Sequence, residues 1–247
     1  CRCKKNDRRN SKKFIKLTKI FCDIADIKLI KKFNKKKIVK GFTTNPSLMR
    51  KAGATDYKLY SKNILKITNK PVSFEVFADH EKNMIIQGLK ISDWGKNVYV
   101  KVPVVNSKGR FMGKVIQNLN SKNIKLNITA VYTAKQTNQI LKKINNKTKV
   151  IISIFAGRMA DKGKNPIPEF KESIKLAKKY KNVEILWAST REPYNFLEAT
   201  KLKCHIITVP PSIIEKIEKF GKSFKELSKD TVKGFLIDSK KSNYKII

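Results

Sequence analysis

Histidine is nearly missing from this chain: His80 and His205 are the only two in 247 residues. Neither belongs to an H-E-x-x-H or comparable spacing, so a histidine-built metal centre has no foundation, and no metal site is expected. Cysteine is equally sparse. Cys1, Cys3, Cys22 and Cys204 form no C-x-x-C pair. Cys22 and Cys204 fall in strand-like runs and read as small buried hydrophobes. No apolar run reaches the ~18 residues of a membrane span. No apolar segment follows the basic N-terminus, as a secretion signal requires. G-x-G-x-x-G, G-x-x-x-x-G-K-[ST] and G-x-S-x-G are absent, which removes the usual support for dinucleotide folds, P-loop enzymes and α/β-hydrolases. The expectation is a cytoplasmic protein with no membrane partner.

Acid is scarce as well: 19 Asp and Glu stand against 56 Lys and Arg, a formal net charge of +37. Such a surplus suggests nucleic-acid binding. Only seven of the basic residues are arginine, however, the side chain suited to bidentate phosphate and base contacts. The lysines are spread along the whole chain among Asn and Ile, the imprint of AT-rich codon usage. No nucleic-acid partner is expected, and the charge is left to steer anionic substrates. Residues 1–16 hold eight basic residues, one acidic residue and few apolar ones. They read as a disordered or non-native extension, leaving residues 17–247 as a single domain.

What the chain does have is alternation. Strand-like runs cover residues 17–23, 38–43, 72–77, 98–104, 124–129, 150–155, 183–188 and 204–209. Helical patterns lie between and after them, at 26–33, 47–67, 80–94, 111–119, 133–144, 168–180, 193–202 and 211–220. Eight such units in a single-domain length predict an α/β fold, a (β/α)8 barrel. A further helical pattern at 224–239 predicts an extra C-terminal helix that packs over the barrel or meets another subunit.

The run from Asn97 to Val105 is β-branched and apolar, a buried parallel strand with Lys101 in its middle. A lysine so placed loses hydration of its charged form, which favours the free amine that a Schiff-base nucleophile requires. Side chains alternate faces along a strand. Val98, Val100, Val102 and Val104 take the helix-facing side, so Lys101 points into the barrel. Elsewhere Ser73 and Glu75, Asn127 and Thr129, and Ser153 take the side opposite the apolar residues. Asp23 shares its face with Phe21, and Thr43 and Asn45 share theirs with Gly41. On the seventh strand Leu186 and Ala188 oppose Trp187 and Ser189, whose face is read as inward. These polar residues sit in the C-terminal halves of their strands, where barrel enzymes carry their sites. A lysine and two carboxylates converging there form a site hypothesis. The Lys108-Gly109-Arg110 loop reads as a solvated turn, His80 as a helix start and His205 as packed.

Several of these stretches resemble the transaldolase family. Gly41-Phe42-Thr43-Thr44-Asn45-Pro46-Ser47 is similar to its T-T-N-P-S signature, and Val100-Lys101-Val102-Pro103 to its lysine motif on the fourth strand. Phe21-Cys22-Asp23, Leu126-Asn127-Ile128-Thr129, the segment from Ser153 to Arg158, and Ala188-Ser189-Thr190-Arg191 also fit. The resemblance covers about residues 17–220 in order. It implies transfer of a dihydroxyacetone unit between sugar phosphates through a Schiff base on Lys101, in the pentose phosphate pathway, with no cofactor and often as a homo-oligomer. Asp23 would handle the proton of the substrate hydroxyl, and Glu75 with Thr129 would hold a water for proton transfer at the imine. Thr43, Asn45 and Asn127 would orient hydroxyls; Ser153, Arg158, Ser189 and Arg191 would bind phosphate. The neighbouring fructose-6-phosphate aldolases carry Gln and Tyr where this chain has Glu75 and Phe155, a departure that favours transfer over free aldol cleavage.

Overall fold

The structure, a computed structural model, describes residues 18–246; the basic segment 1–16 lies outside the described residues. Eight parallel strands close a barrel in sequence order. They are β1 (Lys19–Asp23), β2 (Val39–Thr43), β3 (Val72–Glu75), β4 (Val98–Pro103), β5 (Leu126–Val131), β6 (Val150–Phe155), β7 (Val183–Ala188) and β8 (Ile206–Val209). The helices around them are α1 (Ile27–Asn34), α2 (Pro46–Lys51), α3 (Tyr57–Leu65), α4 (Glu81–Ser92), α5 (Gly113–Ser121), α6 (Ala134–Leu141), the short α7 (Ala156–Ala160), α8 (Ile167–Ala177), α9 (Tyr194–Lys201) and α10 (Pro211–Ile217). A last helix, α11 (Phe224–Ser242), follows. The barrel and the extra helix agree with the sequence expectation.

Local chemistry explains most boundaries. Asp26, Asn45, Asp56 and Thr133 each accept a backbone N–H at a helix start, and Pro46 and Pro211 occupy first-turn positions where the missing N–H costs nothing. The helical pattern at 47–67 divides into α2 and α3 because Gly53 turns the chain at φ +81°. His80 stands at the start of α4 without capping it. Gly109, at φ +74°, makes the expected turn, with Lys108 and Arg110 exposed.

The main core lies between strands and helices. Val98, Val100, Val102 and Val104 are buried on that side of β4, each worth ~1.5–3 kcal/mol of burial. Inside the barrel a second apolar cluster joins Phe21, Tyr99, Ile151, Leu186, Ala188 and Ile206. Gly41 makes room there: a Cβ at this position would meet the Phe21 ring at 2.6 Å. This layer fills the lower barrel and leaves the C-terminal ends of the strands to polar residues.

One face is read wrongly from the sequence. On β7 it is Leu186 and Ala188 that point inward, while Trp187 lies in the outer core, stacked on Phe170 at 4.5 Å between centroids. From Ile185 to Ala188 both faces of this strand are apolar, so alternation over that stretch does not choose between them. Cys22 and Cys204 are buried free thiols, and His205 accepts the Ile185 N–H at 3.0 Å through Nδ1.

Candidate active site

Ladder register brings the polar residues into two rows. One runs Asp23, Thr43, Ser73 across β1, β2 and β3. The other runs Glu75, Lys101, Asn127 across β3, β4 and β5. Above them opens a cavity of about 210 Å³.

Lys101 is 7% exposed. Its Nζ lies 3.1 Å from Glu75 Oε2 and donates to the Thr44 carbonyl at 3.1 Å. The buried charge is thus compensated by a carboxylate and a main-chain dipole. Asp23, on the cavity wall, accepts from Thr43 Oγ1 at 2.6 Å. Burial holds its carboxyl above the usual carboxylate range, against the opposing pull of the Lys101 charge and the Thr43 hydrogen bond. Asn127 bridges the rows: it donates to Ser73 Oγ at 3.0 Å and accepts from Ser153 Oγ at 2.6 Å. Thr129 is buried, and its Oγ1 has no hydrogen-bond partner among the described residues. Asn45 borders the cavity while its Oδ1 caps α2 through the Leu48 N–H at 2.9 Å.

The opposite wall is basic. Phe155 ends β6 there, and Arg158 reaches over its ring at 5.2 Å. Ser189 enters despite the reversed parity of β7 because its φ of +63° breaks the alternation. Gly157 makes this approach possible: a Cβ there would stand 1.7 Å from the Ser189 carbonyl oxygen. Arg191 donates through Nε to both carboxylate oxygens of Asp161, at 3.0 and 3.1 Å, and this pair holds the Asp161 carboxyl below its usual range. Among the described residues Arg158 has no carboxylate within ion-pair distance.

Of the twelve residues read from the sequence as catalytic or substrate-binding, eleven line this one cavity; Glu75 joins through Lys101, and Ser73, also read as inward, joins through Asn127. Sequence reasoning missed Thr208, whose Oγ1 lies 2.6 Å from that of Thr43; a threonine on the C-terminal half of β8 carried the same signal as the others. It also missed Asp161, for which no periodic signal exists. Among the described residues no cluster of His, Cys, Asp and Glu is placed to hold a metal ion, and no helix is long and apolar enough to cross a membrane.

Fold and cavity together define a (β/α)8 barrel with a lysine-centred polar site at the C-terminal ends of its strands. The model of the transaldolase/fructose-6-phosphate aldolase family matches residues 20–246, and the chain belongs to that family. A relative from Nitrosopumilus maritimus named "probable transaldolase" is 34% identical over 201 residues, covering 81% of this chain and 86% of the relative. One of the same name from Caldicellulosiruptor saccharolyticus is 34% identical over 203 residues, covering 81% and 89%. Among solved structures, orotidine 5'-monophosphate decarboxylase from Metallosphaera sedula superposes with a TM-score of 0.53 at 12% identity, over 85% of this chain and 98% of that one. FabK from Thermotoga maritima does so with a TM-score of 0.51 at 9% identity, over 83% and 62%. These two likenesses are of fold alone.

Proposed function

We propose that this protein is a transaldolase that moves a dihydroxyacetone unit between sugar phosphates, from fructose 6-phosphate to erythrose 4-phosphate, giving sedoheptulose 7-phosphate. The observation that carries this reading is the buried Lys101, its Nζ 3.1 Å from Glu75, in a cavity walled by Asp23 on one side and two arginines on the other.

The amine of Lys101 adds to the ketone carbon of the donor, and loss of water leaves a cationic imine. Asp23 takes the proton of the C4 hydroxyl as the bond between C3 and C4 breaks. Glyceraldehyde 3-phosphate leaves, and the bond's electron pair moves into the imine as an enamine. The enamine carbon then attacks the aldehyde of the acceptor, Asp23 returns the proton, and water hydrolyses the new imine. Glu75 and Thr129 position that water. Thr43, Asn45 and Asn127 orient hydroxyls; Ser153, Ser189, Arg158 and Arg191 take the phosphate. The lysine itself is the electron sink, so the reaction calls for no cofactor.

Group transfer is favoured over release of free dihydroxyacetone because Phe155 has no hydroxyl to offer the waiting enamine. Glu75 also stabilises the charged imine beside it. Coupled assays test this directly. Fructose 6-phosphate with erythrose 4-phosphate is expected to turn over far faster than fructose 6-phosphate alone, and Phe155→Tyr should raise free release relative to transfer. A parent enzyme that releases dihydroxyacetone as fast as it transfers it is an aldolase. The cytoplasm and the pentose phosphate pathway are the setting this reaction implies, and the cationic surface serves to draw in phosphorylated sugars rather than nucleic acid.

A homo-oligomer completes the proposal. None of the 19 residues of α11 is buried, and Phe224, Val232, Phe235 and Leu236 are exposed. A helix with that much bare apolar surface calls for a cover, and a second copy of the chain supplies one.

A further inference from the structure

Strand β2 ends before β3 does. Their pairs are Phe42 with Val72 and Thr43 with Ser73. The chain then leaves the sheet at Asn45, the cap of α2, and Pro46 has no N–H to offer. Strand β3 continues to Glu75.

Backbone groups alternate sides along a strand. The Ser73 carbonyl faces β2 and accepts the Thr44 N–H at 3.2 Å, while the Val76 N–H faces β4 and donates to the Lys101 carbonyl at 3.0 Å. The backbone of Glu75 therefore faces the side from which β2 has departed. Tyr57 of α3 occupies that place. The Glu75 N–H donates to Tyr57 Oη at 3.0 Å, and the same hydroxyl donates to the Glu75 carbonyl at 3.1 Å. One phenol hydroxyl thus serves as acceptor and donor, as a ladder residue would. Its ring is held edge-on by Phe77, 5.5 Å away, and at a tilt by Trp94 at 5.8 Å. Burial pushes the phenol well above its ordinary pKa, which keeps the donating proton in place.

Resting on the reading of Lys101 as the Schiff-base residue, we propose that Tyr57 is a positioning residue that completes the β3 ladder and thereby fixes the Glu75 carboxylate against Lys101. Glu75 is the last residue of its strand. Without the clamp its N–H and C=O lose their partner on the β2 side, although Val76 stays tied to β4, and its carboxylate loses a defined place beside the nitrogen. A misplacement of about 1 Å at a reacting centre can cost on the order of a hundredfold; loosening a single strand end is expected to cost roughly tenfold, the equivalent of about 1.4 kcal/mol in the barrier.

The test is hydrogen exchange together with kinetics, on the full chain. In the parent, the Glu75 amide should exchange slowly although it ends a strand; exchange as fast as a free strand end overturns the proposal without any variant. Tyr57→Phe keeps the ring and its contacts. In it the Glu75 amide should exchange at least roughly tenfold faster while the Val100 amide is unchanged. The turnover number should fall about tenfold with KM for fructose 6-phosphate within about twofold, and the pH profile of turnover should shift. Faster exchange with unchanged turnover and profile would make Tyr57 a structural residue only and overturn the proposal. Absence of any transfer in the parent would instead defeat the transaldolase reading, and the exchange data would still report the clamp.

Discussion

Lys101 and Glu75 are registered neighbours across the β3–β4 ladder, and their side chains meet at 3.1 Å inside the barrel with little exposure to solvent. A pair held this way serves chemistry better than stability. Desolvation of both charges offsets their attraction, whereas removal of one leaves the other bare, at a cost on the order of 3 kcal/mol. Glu75→Leu alone should therefore lower the melting temperature clearly. The double variant Lys101→Met with Glu75→Leu should recover the parent value or exceed it. Thermal melts of the parent, both singles and the double decide this, and a double variant less stable than Glu75→Leu contradicts it.

Asp23 sets a second expectation, in pH. Burial raises its carboxyl in the fold, so the folded state binds that proton more tightly than the unfolded chain, whose value is near ~3.9. Its contribution to stability is then fullest below the unfolded value and declines as pH rises through the folded one. Asp23→Asn imitates the protonated form. At pH 7 the variant should melt above the parent, with the gap narrowing as pH falls toward ~4. A variant less stable than the parent at pH 7 would contradict this, and turnover should be lost whatever the melting temperature.

The two arginines should not behave alike. Arg191 is already held by Asp161, while Arg158 lies over Phe155. Arg158→Ala should raise KM for phosphorylated sugars roughly ten- to a hundredfold, as loss of about 1.5–3 kcal/mol of charge-assisted hydrogen bonding would. Arg191→Ala should raise it less, because a phosphate at Arg191 competes with Asp161. Asp161→Asn should lower KM. Equal KM for phosphorylated and unphosphorylated ketoses in the parent would contradict all three.

Deletion of residues 223–247 tests the role of α11. The barrel should keep nearly all of its stability, since none of that helix is buried, while light scattering should show a change from oligomer to monomer. A full-length chain that is already monomeric at micromolar concentration would contradict the proposal.

The barrel was legible because valines and isoleucines occupy the helix-facing parity of most strands and set the alternation against which Asp23, Glu75, Lys101, Asn127 and Ser153 stand out. On β7 the same rule failed, since Leu186, Trp187 and Ala188 give no contrast between faces. Ser189 still reaches the cavity, through a left-handed backbone that periodicity does not encode. Gly53 ended α2 where the apolar pattern continued, because conformation outweighed periodicity there. Tyr57 and Asp161 are more instructive. Tyr57 sits on a helix and Asp161 just past one, and their partners are Glu75 and Arg191, respectively 18 and 30 residues away. Contacts of that kind form only when neighbouring βα units pack together and leave no spacing in the sequence.

Reduction of the protein with borohydride in the presence of fructose 6-phosphate, followed by peptide mass spectrometry, tests the central claim most directly. The proposed mechanism predicts a three-carbon or six-carbon adduct on Lys101 alone among the lysines, and no adduct in Lys101→Met. An adduct on another lysine with Lys101 unmodified would contradict it.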